Sequence, residues 1–178
     1  TAQNCGPSQQ TNPAVPLNEY FLLDGNSWTD YGLPSLEAFV KEGYVVVGTD
    51  YQGQGGGGKH QYAVAITQAK DTIDSIRAVG SMQETGAGKK AIVYGWSQGG
   101  GTAIAAASMP DYISKKATAL DDIQLVGFVA LAPYDVAVTM PGTKLDQALS
   151  EKMISELTAS FSDNIFNFAH FSMTLWGT

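Results

Sequence analysis

The sequence predicts an α/β protein built on a mostly parallel, doubly wound sheet. Three apolar segments carry this prediction: YVVVGTD (44–50), AIVYGW (91–96) and IQLVGFVALAP (123–133). They are rich in β-branched residues and almost wholly apolar, which is typical of strands buried on both faces. Segments of helical character separate them, and strands that alternate with helices form parallel sheets.

The predicted helices occupy the intervals around these strands. Pro34 suits the first turn of a helix in PSLEAFVKEG, which Gly43 is expected to end. Small residues in QGGGTAIAAASM, after the second strand, predict a helix that packs close to its neighbours. Between residues 60 and 79, apolar residues recur at helical spacing, with charged residues elsewhere on the wheel; these apolar residues are Ala63, Ile66, Ala69, Ile73, Ile76 and Val79.

Composition narrows the class of protein. The chain has 178 residues, of which 44% are hydrophobic and 15% charged, and its formal net charge is −7. A chain of this composition is globular rather than disordered. Its basic residues cluster no further than pairs, so the charge pattern predicts no nucleic-acid partner. No apolar run approaches the roughly 20 residues of a membrane-spanning helix. The single cysteine, Cys5, cannot form a disulfide within the chain.

A serine stands where the second strand meets the small-residue helix. Gly95-Trp96-Ser97-Gln98-Gly99 fits G-x-S-x-G in the strand–turn–helix context of a nucleophile elbow. Side chains at either glycine are expected to clash in so sharp a turn. The helix N-terminus adds a positive dipole and free N–H groups, and the N–H of Gln98 is a predicted oxyanion donor. The alternative is that Ser97 is a helix N-cap, and the context favours the nucleophile.

A second glycine-rich segment imitates a cofactor site. Gly53-x-Gly55-x-x-Gly58 follows a predicted strand, and Asp74 lies about 20 residues on, as in dinucleotide-binding folds. In a run of four glycines, however, this spacing arises almost by default. Asp74 also lies inside the amphipathic helix, not at the end of the next strand. We therefore predict no cofactor and no metal.

Taken in order, these segments resemble the secretory lipase family of α/β-hydrolases. The resemblance rests on GYVVVGTDYQGQG, DTIDSIRAVG, GWSQGGG and LVGFVALAPYD, and it spans about residues 33 to 135. CGPS, at residues 5–8, also resembles a CAPS segment of such proteins. The resemblance implies a secreted or periplasmic serine esterase or lipase that acts on carboxylic esters. It further implies a second oxyanion donor, the backbone N–H of Asp50; otherwise Asp50 is an acid that caps the loop.

The resemblance also divides the chain. Residues 1–140 are expected to form part of an α/β-hydrolase core, and residues 141–178 part of a helical lid or cap. Leu145, Leu149, Met153 and Leu157 line one stripe of a helix there. Three aromatic residues follow, Phe166, Phe168 and Phe171. They either pack as core or line a tunnel for an acyl chain.

The general base is the part that the sequence does not supply plainly. The chain has two histidines, His60 and His170, and hydrolases of this fold run in the order Ser, Asp/Glu, His. His60 precedes the serine and is expected to be structural. His170 can be paired with Asp135 on paper, but no predicted strand anchors it. We therefore expect the acid and base outside this chain, in missing N- and C-terminal segments or a second chain of the same protein.

Three other functions are compatible with the same elbow. An acyltransferase and a serine peptidase use it for a similar attack on a carbonyl carbon. A hydrolase-fold module without catalytic activity would use the fold to bind a lipid or a protein.

The aromatic residues of the predicted lid generate a first test. Replacing Phe166, Phe168 or Phe171 with a polar residue should shift acyl-length preference more than it lowers activity on a short acetate ester. The reason is lost apolar contact, at roughly 0.8 kcal/mol per buried CH₂. Specificity constants for short and long acyl esters measure the shift, and equal losses on both would indicate core damage instead.

Overall fold

A computed structural model describes most of the chain between residues 35 and 133 and short pieces beyond. The described residues are 6–9, 35–114, 122–133, 146–148, 151–152, 155–156 and 159. Their helices and strands, in chain order, are α1 (Leu36–Lys41), α2 (Ala65–Ser81), β1 (Lys90–Trp96), α3 (Gln98–Ala107), α4 (Pro110–Ile113) and β2 (Gln124–Leu131). Short 3₁₀ turns occupy Pro7–Gln9 and Gln83–Thr85.

The two strands form a parallel pair with helices between them. β1 and β2 run in register from Lys90 beside Gln124 to Trp96 beside Leu131, with one irregularity between Ala91 and Ile92. The connection from β1 to β2 passes through α3 and α4, as parallel strands require. α3 packs on both strands and on α2. The described region is therefore of the α/β class, and the predicted strands at 91–96 and 123–133 are confirmed.

The predicted strand at 44–50 is wrong as a strand. These residues form neither helix nor strand, and Tyr44, Val45 and Val47 are 55%, 44% and 40% exposed. A strand exists only through hydrogen bonds to a neighbour, and within the described residues this segment pairs with neither β1 nor β2. The described sheet thus has two strands, so the doubly wound sheet remains a prediction.

The burial expected of the strands is only partly confirmed. Val93 is buried, but Ile92 is 48% exposed, and on β2 Val126 and Val129 are 57% and 44% exposed. Val93 packs in a core with residues of α2 and α3. A strand is buried on both faces only when layers cover both. Among the described elements, α2 and α3 cover the Val93 side.

The core is built from small residues, which lets α3 lie close to the sheet. Ala103 and Ala106 of α3 pack with Ala69 and Ile73 of α2, and all four are fully buried. At Gly100, an added Cβ would lie 2.8 Å from the Leu131 carbonyl oxygen. The first turn of α3 is therefore held against the end of β2.

The ends of α1 and α2 follow local chemistry. Gly43 has φ +82°, and its N–H bonds the Val40 carbonyl while that of Tyr44 bonds the Phe39 carbonyl. These are the two hydrogen bonds of a Schellman motif, so the predicted end of α1 at Gly43 is confirmed. α2 starts at Ala65, five residues after the start of the predicted helical segment, whose first residue, His60, contacts the preceding loop instead.

In the C-terminal part of the chain, the described residues test the predicted helix only. The described residues between 147 and 159 are helical, in agreement with the helix predicted there. Gln147 donates to Glu151 at 2.9 Å along this helix. The described residues do not include Cys5, Pro34, the apolar stripe of that helix or the three phenylalanines of the predicted lid. The division near residue 140 stays a prediction.

No helix in the described part of the chain is long and apolar enough to cross a membrane.

Two helical glycines offer a matched test of the close packing of α3. Gly80, in α2, has nothing within 4 Å of an added Cβ, whereas Gly100 faces Leu131 and Pro133 at 2.8 Å. Gly80→Ala should raise the free energy of unfolding by roughly 0.5–1 kcal/mol. Gly100→Ala should lower it by about 1–3 kcal/mol, because the helix must move off β2. Urea denaturation measures both, and a neutral Gly100→Ala would contradict the close approach.

Candidate active site

Ser97 lies between β1 and α3 with an unusual backbone. Its φ is 55° and its ψ is −115°. Residues other than glycine rarely adopt this combination, which costs on the order of 1–3 kcal/mol. Two hydrogen bonds hold it: its N–H donates to the Leu131 carbonyl at 3.0 Å, and its carbonyl accepts from Gly101 at 3.1 Å. Strained backbones of this kind cluster at functional sites, which makes Ser97 a candidate site residue.

The alternative interpretation of Ser97 as a helix N-cap lacks its defining features. An N-cap serine takes a β-region backbone and accepts a hydrogen bond on its side-chain oxygen from the first helical turn. Ser97 has a positive φ, and its side chain makes no such capping bond to α3. Its hydroxyl is therefore not committed to the helix.

The two glycines of the elbow are not equivalent. A Cβ at Gly95 would lie 2.2 Å from the carbonyl carbon and oxygen of Gly99, so the backbones of these residues touch. A Cβ at Gly99 would approach only the Tyr51 hydroxyl, at 4.0 Å. The clash expected at both glycines thus occurs at Gly95, and at Gly99 the space is open. The sharpness of the turn demands the first glycine only.

Asp50 is braced by the CGPS segment. Its carboxylate accepts hydrogen bonds from the Ser8 N–H at 2.9 Å and from the Ser8 hydroxyl at 2.5 Å. The backbones of Gly6 and Gly55 lie so close that a Cβ on either would overlap the carboxylate. Within the described residues, the hydrogen bonds of Asp50 use its carboxylate and its carbonyl. Gln98 begins α3, so its N–H has no acceptor inside the helix.

Tyr51 connects this loop to α3. Its hydroxyl lies 3.1 Å from the Thr102 hydroxyl, which donates to the Gln68 side-chain oxygen at 3.0 Å. The Gln68 amide in turn donates to the Gln61 carbonyl at 3.1 Å. Burial raises the pKa of the Tyr51 phenol above its ordinary value, so the phenol is protonated at neutral pH.

His60 supports the glycine-rich loop at residues 52–58, called the glycine loop below, in keeping with the structural role predicted for it. Its Nδ1 lies 2.9 Å from the Gln52 carbonyl and its Nε2 lies 3.5 Å from the Gln54 amide nitrogen. Its ring stacks on Tyr51 with the centroids 6.4 Å apart. Both ring nitrogens are therefore directed at the loop.

The glycines that imitate a dinucleotide motif allow close contacts within this loop. A Cβ at Gly53 would meet the His60 backbone nitrogen at 2.4 Å, and one at Gly55 would overlap the Asp50 carboxylate. The close neighbour of Gly55 is thus an acid, which repels a phosphate. Across the described ranges, no group of three His, Cys, Asp or Glu residues is arranged to hold a metal ion.

The residues that sequence reasoning missed are polar groups inside apolar helices. Gln68 and Thr102 are 1% and 2% exposed. Gln68 lies beside Ala69 on the apolar stripe of α2, and a polar residue there was the available signal. Gln98, predicted as a donor through its backbone N–H, also has a buried side-chain nitrogen with no hydrogen-bond partner among the described residues. Asp135 and His170, the alternative acid and base within the chain, lie outside the described residues, as do Phe166, Phe168 and Phe171.

The unequal elbow glycines generate a matched pair of variants. Gly95→Ala should lower the free energy of unfolding by about 1–3 kcal/mol or more, because its Cβ meets the Gly99 backbone. Gly99→Ala should change it by less than about 1 kcal/mol, because alanine favours the helix and finds space. Urea denaturation compares them, and equal losses would show that the backbones do not touch at Gly95.

One of three comparisons with known proteins returns a match. A search of curated proteins and a search of solved structures each return no match. A family model described as "Secretory lipase" matches residues 25–147, which is more than half of the chain. That range contains the elbow, α3 and the loop of Asp50. The chain therefore belongs to the secretory lipase family.

Proposed function

We propose that this protein is a secreted or periplasmic serine carboxylic ester hydrolase, an esterase or lipase that works through an acyl-enzyme on Ser97. The observation that carries the proposal is the backbone of Ser97, with φ at 55° and ψ at −115° between β1 and α3. This turn presents the hydroxyl at the carboxyl end of a parallel strand, beside a helix N-terminus. Membership of the secretory lipase family supports ester substrates.

The proposed reaction has two halves. The Ser97 oxygen attacks the acyl carbon, its proton passes to a general base, and the carbonyl oxygen becomes an oxyanion. The C–O bond to the alcohol then breaks, and the alcohol leaves with that proton. Water repeats the attack on the acyl-enzyme and releases the carboxylic acid.

Two backbone donors are proposed for the oxyanion. The N–H of Gln98 stands at the positive end of α3, and the N–H of Asp50 lies on the loop braced by Ser8. Donors fixed in place before the reaction stabilise charge without reorganisation, and each is worth about 10²–10³ in kcat. The Asp50 carboxylate is engaged by Ser8, so we assign it a bracing role and not a catalytic one.

The general base is proposed to lie outside these 178 residues, together with its acid. Both ring nitrogens of His60 face the preceding loop, at Gln52 and Gln54, which supports a structural role for this residue. His170, with Asp135, is the alternative within the chain. His170→Ala distinguishes the two: unchanged ester hydrolysis in the full-length protein supports an external base, and a loss like that of Ser97→Ala assigns the base to His170.

The sheet and the C-terminal segment belong to the same proposal. We propose that β1 and β2 are neighbouring central strands of an α/β-hydrolase sheet, since β1, the Ser97 elbow and α3 follow one another as that fold requires. Residues 141–178 are proposed as part of a lid that binds the acyl chain. A lipid or another ester is the proposed substrate, with no cofactor.

Ser97 provides the direct test. In the full-length protein, Ser97→Ala should lower kcat for a short acyl ester by on the order of 10⁴–10⁶, with the fold intact, because the nucleophile is gone. Labelling by a fluorophosphonate should be lost in parallel. Ser108→Ala is the matched control, since Ser108 lies beyond the far end of the same helix. Ordinary turnover by Ser97→Ala would exclude this mechanism, and an unlabelled wild type would favour a binding module.

A further inference from the structure

Two donors on different segments require something to fix the distance between them. The Asp50 N–H lies on a loop, and the Gln98 N–H lies at the start of α3. An oxyanion site functions only when its donors are held within about 0.5 Å of their productive positions. Ser8 holds Asp50 from the N-terminal segment, so this contact does not fix the position of the loop relative to α3.

The hydroxyl of Tyr51 links the loop directly to α3. Tyr51 follows Asp50 directly, and its hydroxyl lies 3.1 Å from the hydroxyl of Thr102. Thr102 lies one helical turn beyond Gln98, and its hydroxyl is also 3.1 Å from the Gln98 carbonyl oxygen. The hydrogen bond between the loop and α3 thus begins at the residue that follows Asp50 and ends at Thr102, whose hydroxyl contacts the Gln98 carbonyl.

The bond belongs to a buried network of hydrogen bonds. The Thr102 hydroxyl has two acceptors in reach, the Gln68 side-chain oxygen at 3.0 Å and the Gln98 carbonyl at 3.1 Å. The Gln68 amide donates to the Gln61 carbonyl. Thr102 has a single hydrogen to donate, so the protonated Tyr51 hydroxyl is the donor to it. Gln68 and Thr102 are almost fully buried, and water cannot replace a lost partner there at little cost.

From this geometry we propose that Tyr51 is a positioning residue of the site: through Thr102 it sets the separation of the Asp50 and Gln98 N–H groups. The proposal rests on the proposed function. It concerns the hydroxyl and not the ring, because the ring stacks on His60 independently.

Tyr51→Phe removes one oxygen and keeps the ring. It should lower kcat by about tenfold to a hundredfold, less than the loss of a whole donor, while KM changes by less than about threefold. The affinity for an alkyl boronic acid, which mimics the tetrahedral intermediate, should fall by the same factor as kcat/KM. A merely structural residue would not link these two numbers.

Thr102 supplies isosteric partners for the test. Thr102→Val keeps the shape without the hydroxyl and should reproduce the Tyr51→Phe loss. Thr102→Ser keeps the hydroxyl and should retain activity within about threefold. The double variant Tyr51→Phe with Thr102→Val should have a kcat within about threefold of either single variant, because both substitutions break the same Tyr51–Thr102 hydrogen bond. The two Thr102 variants decide the matter if Tyr51→Phe does not fold.

Tyr112→Phe is the control for a lost phenol hydroxyl. The Tyr112 hydroxyl donates to Asp74 at 2.7 Å and joins α4 to α2 away from the elbow. This variant should lose stability and keep both kcat and boronate affinity.

The outcomes separate this inference from the proposed function. If Ser97→Ala is inactive but Tyr51→Phe and Thr102→Val turn over like the wild type, the positioning role is refuted and the hydrolase remains. If Tyr112→Phe loses as much kcat as Tyr51→Phe, the effect is general destabilisation and the inference fails. If the wild type neither hydrolyses esters nor reacts with a fluorophosphonate, both fail.

Discussion

The contact between the backbones of Gly95 and Gly99 is the constraint on which the rest of the site depends. With those residues touching, the chain must reverse between β1 and α3 within three residues, and Ser97 is left with a φ of 55°. A hydrogen bond from the Ser97 N–H to the Leu131 carbonyl offsets part of the strain and holds the turn against the end of β2. A strained residue persists only where its surroundings determine its position this fully.

The same closeness dictates the composition of α3. Gly100 abuts Leu131 and Pro133, and Ala103 and Ala106 allow α2 to approach. Small residues bury little apolar area each, so this core derives its stability from tight packing and from satisfied polar groups. The buried pair Gln68 and Thr102 fits that description. It also extends the rigidity of the core to the loop of Tyr51.

The glycine loop illustrates how a motif gains meaning from its neighbours. G-x-G-x-x-G suggests a phosphate site when met as a pattern, but Gly53 and Gly55 are used for close approach to His60 and to the Asp50 carboxylate. The loop is thereby folded around an acid. Its order rests on hydrogen bonds to Ser8 and to Asp71, which accepts from the Gln52 N–H at 2.9 Å.

The sequence by itself determined the features that short-range chemistry controls. The sharp turn at Ser97 with its leading glycine, the end of α1 at Gly43 and both described strands follow from the identity and spacing of neighbouring residues. Tertiary structure alone decided what meets across long separations. Ser8 and Asp50 are 42 residues apart and Tyr51 and Thr102 are 51 apart, and no local pattern encodes such contacts. The apolar segment at 44–50 failed as a predicted strand for the same reason, since periodicity reports which side chains are apolar but not which neighbour will pair with or cover them.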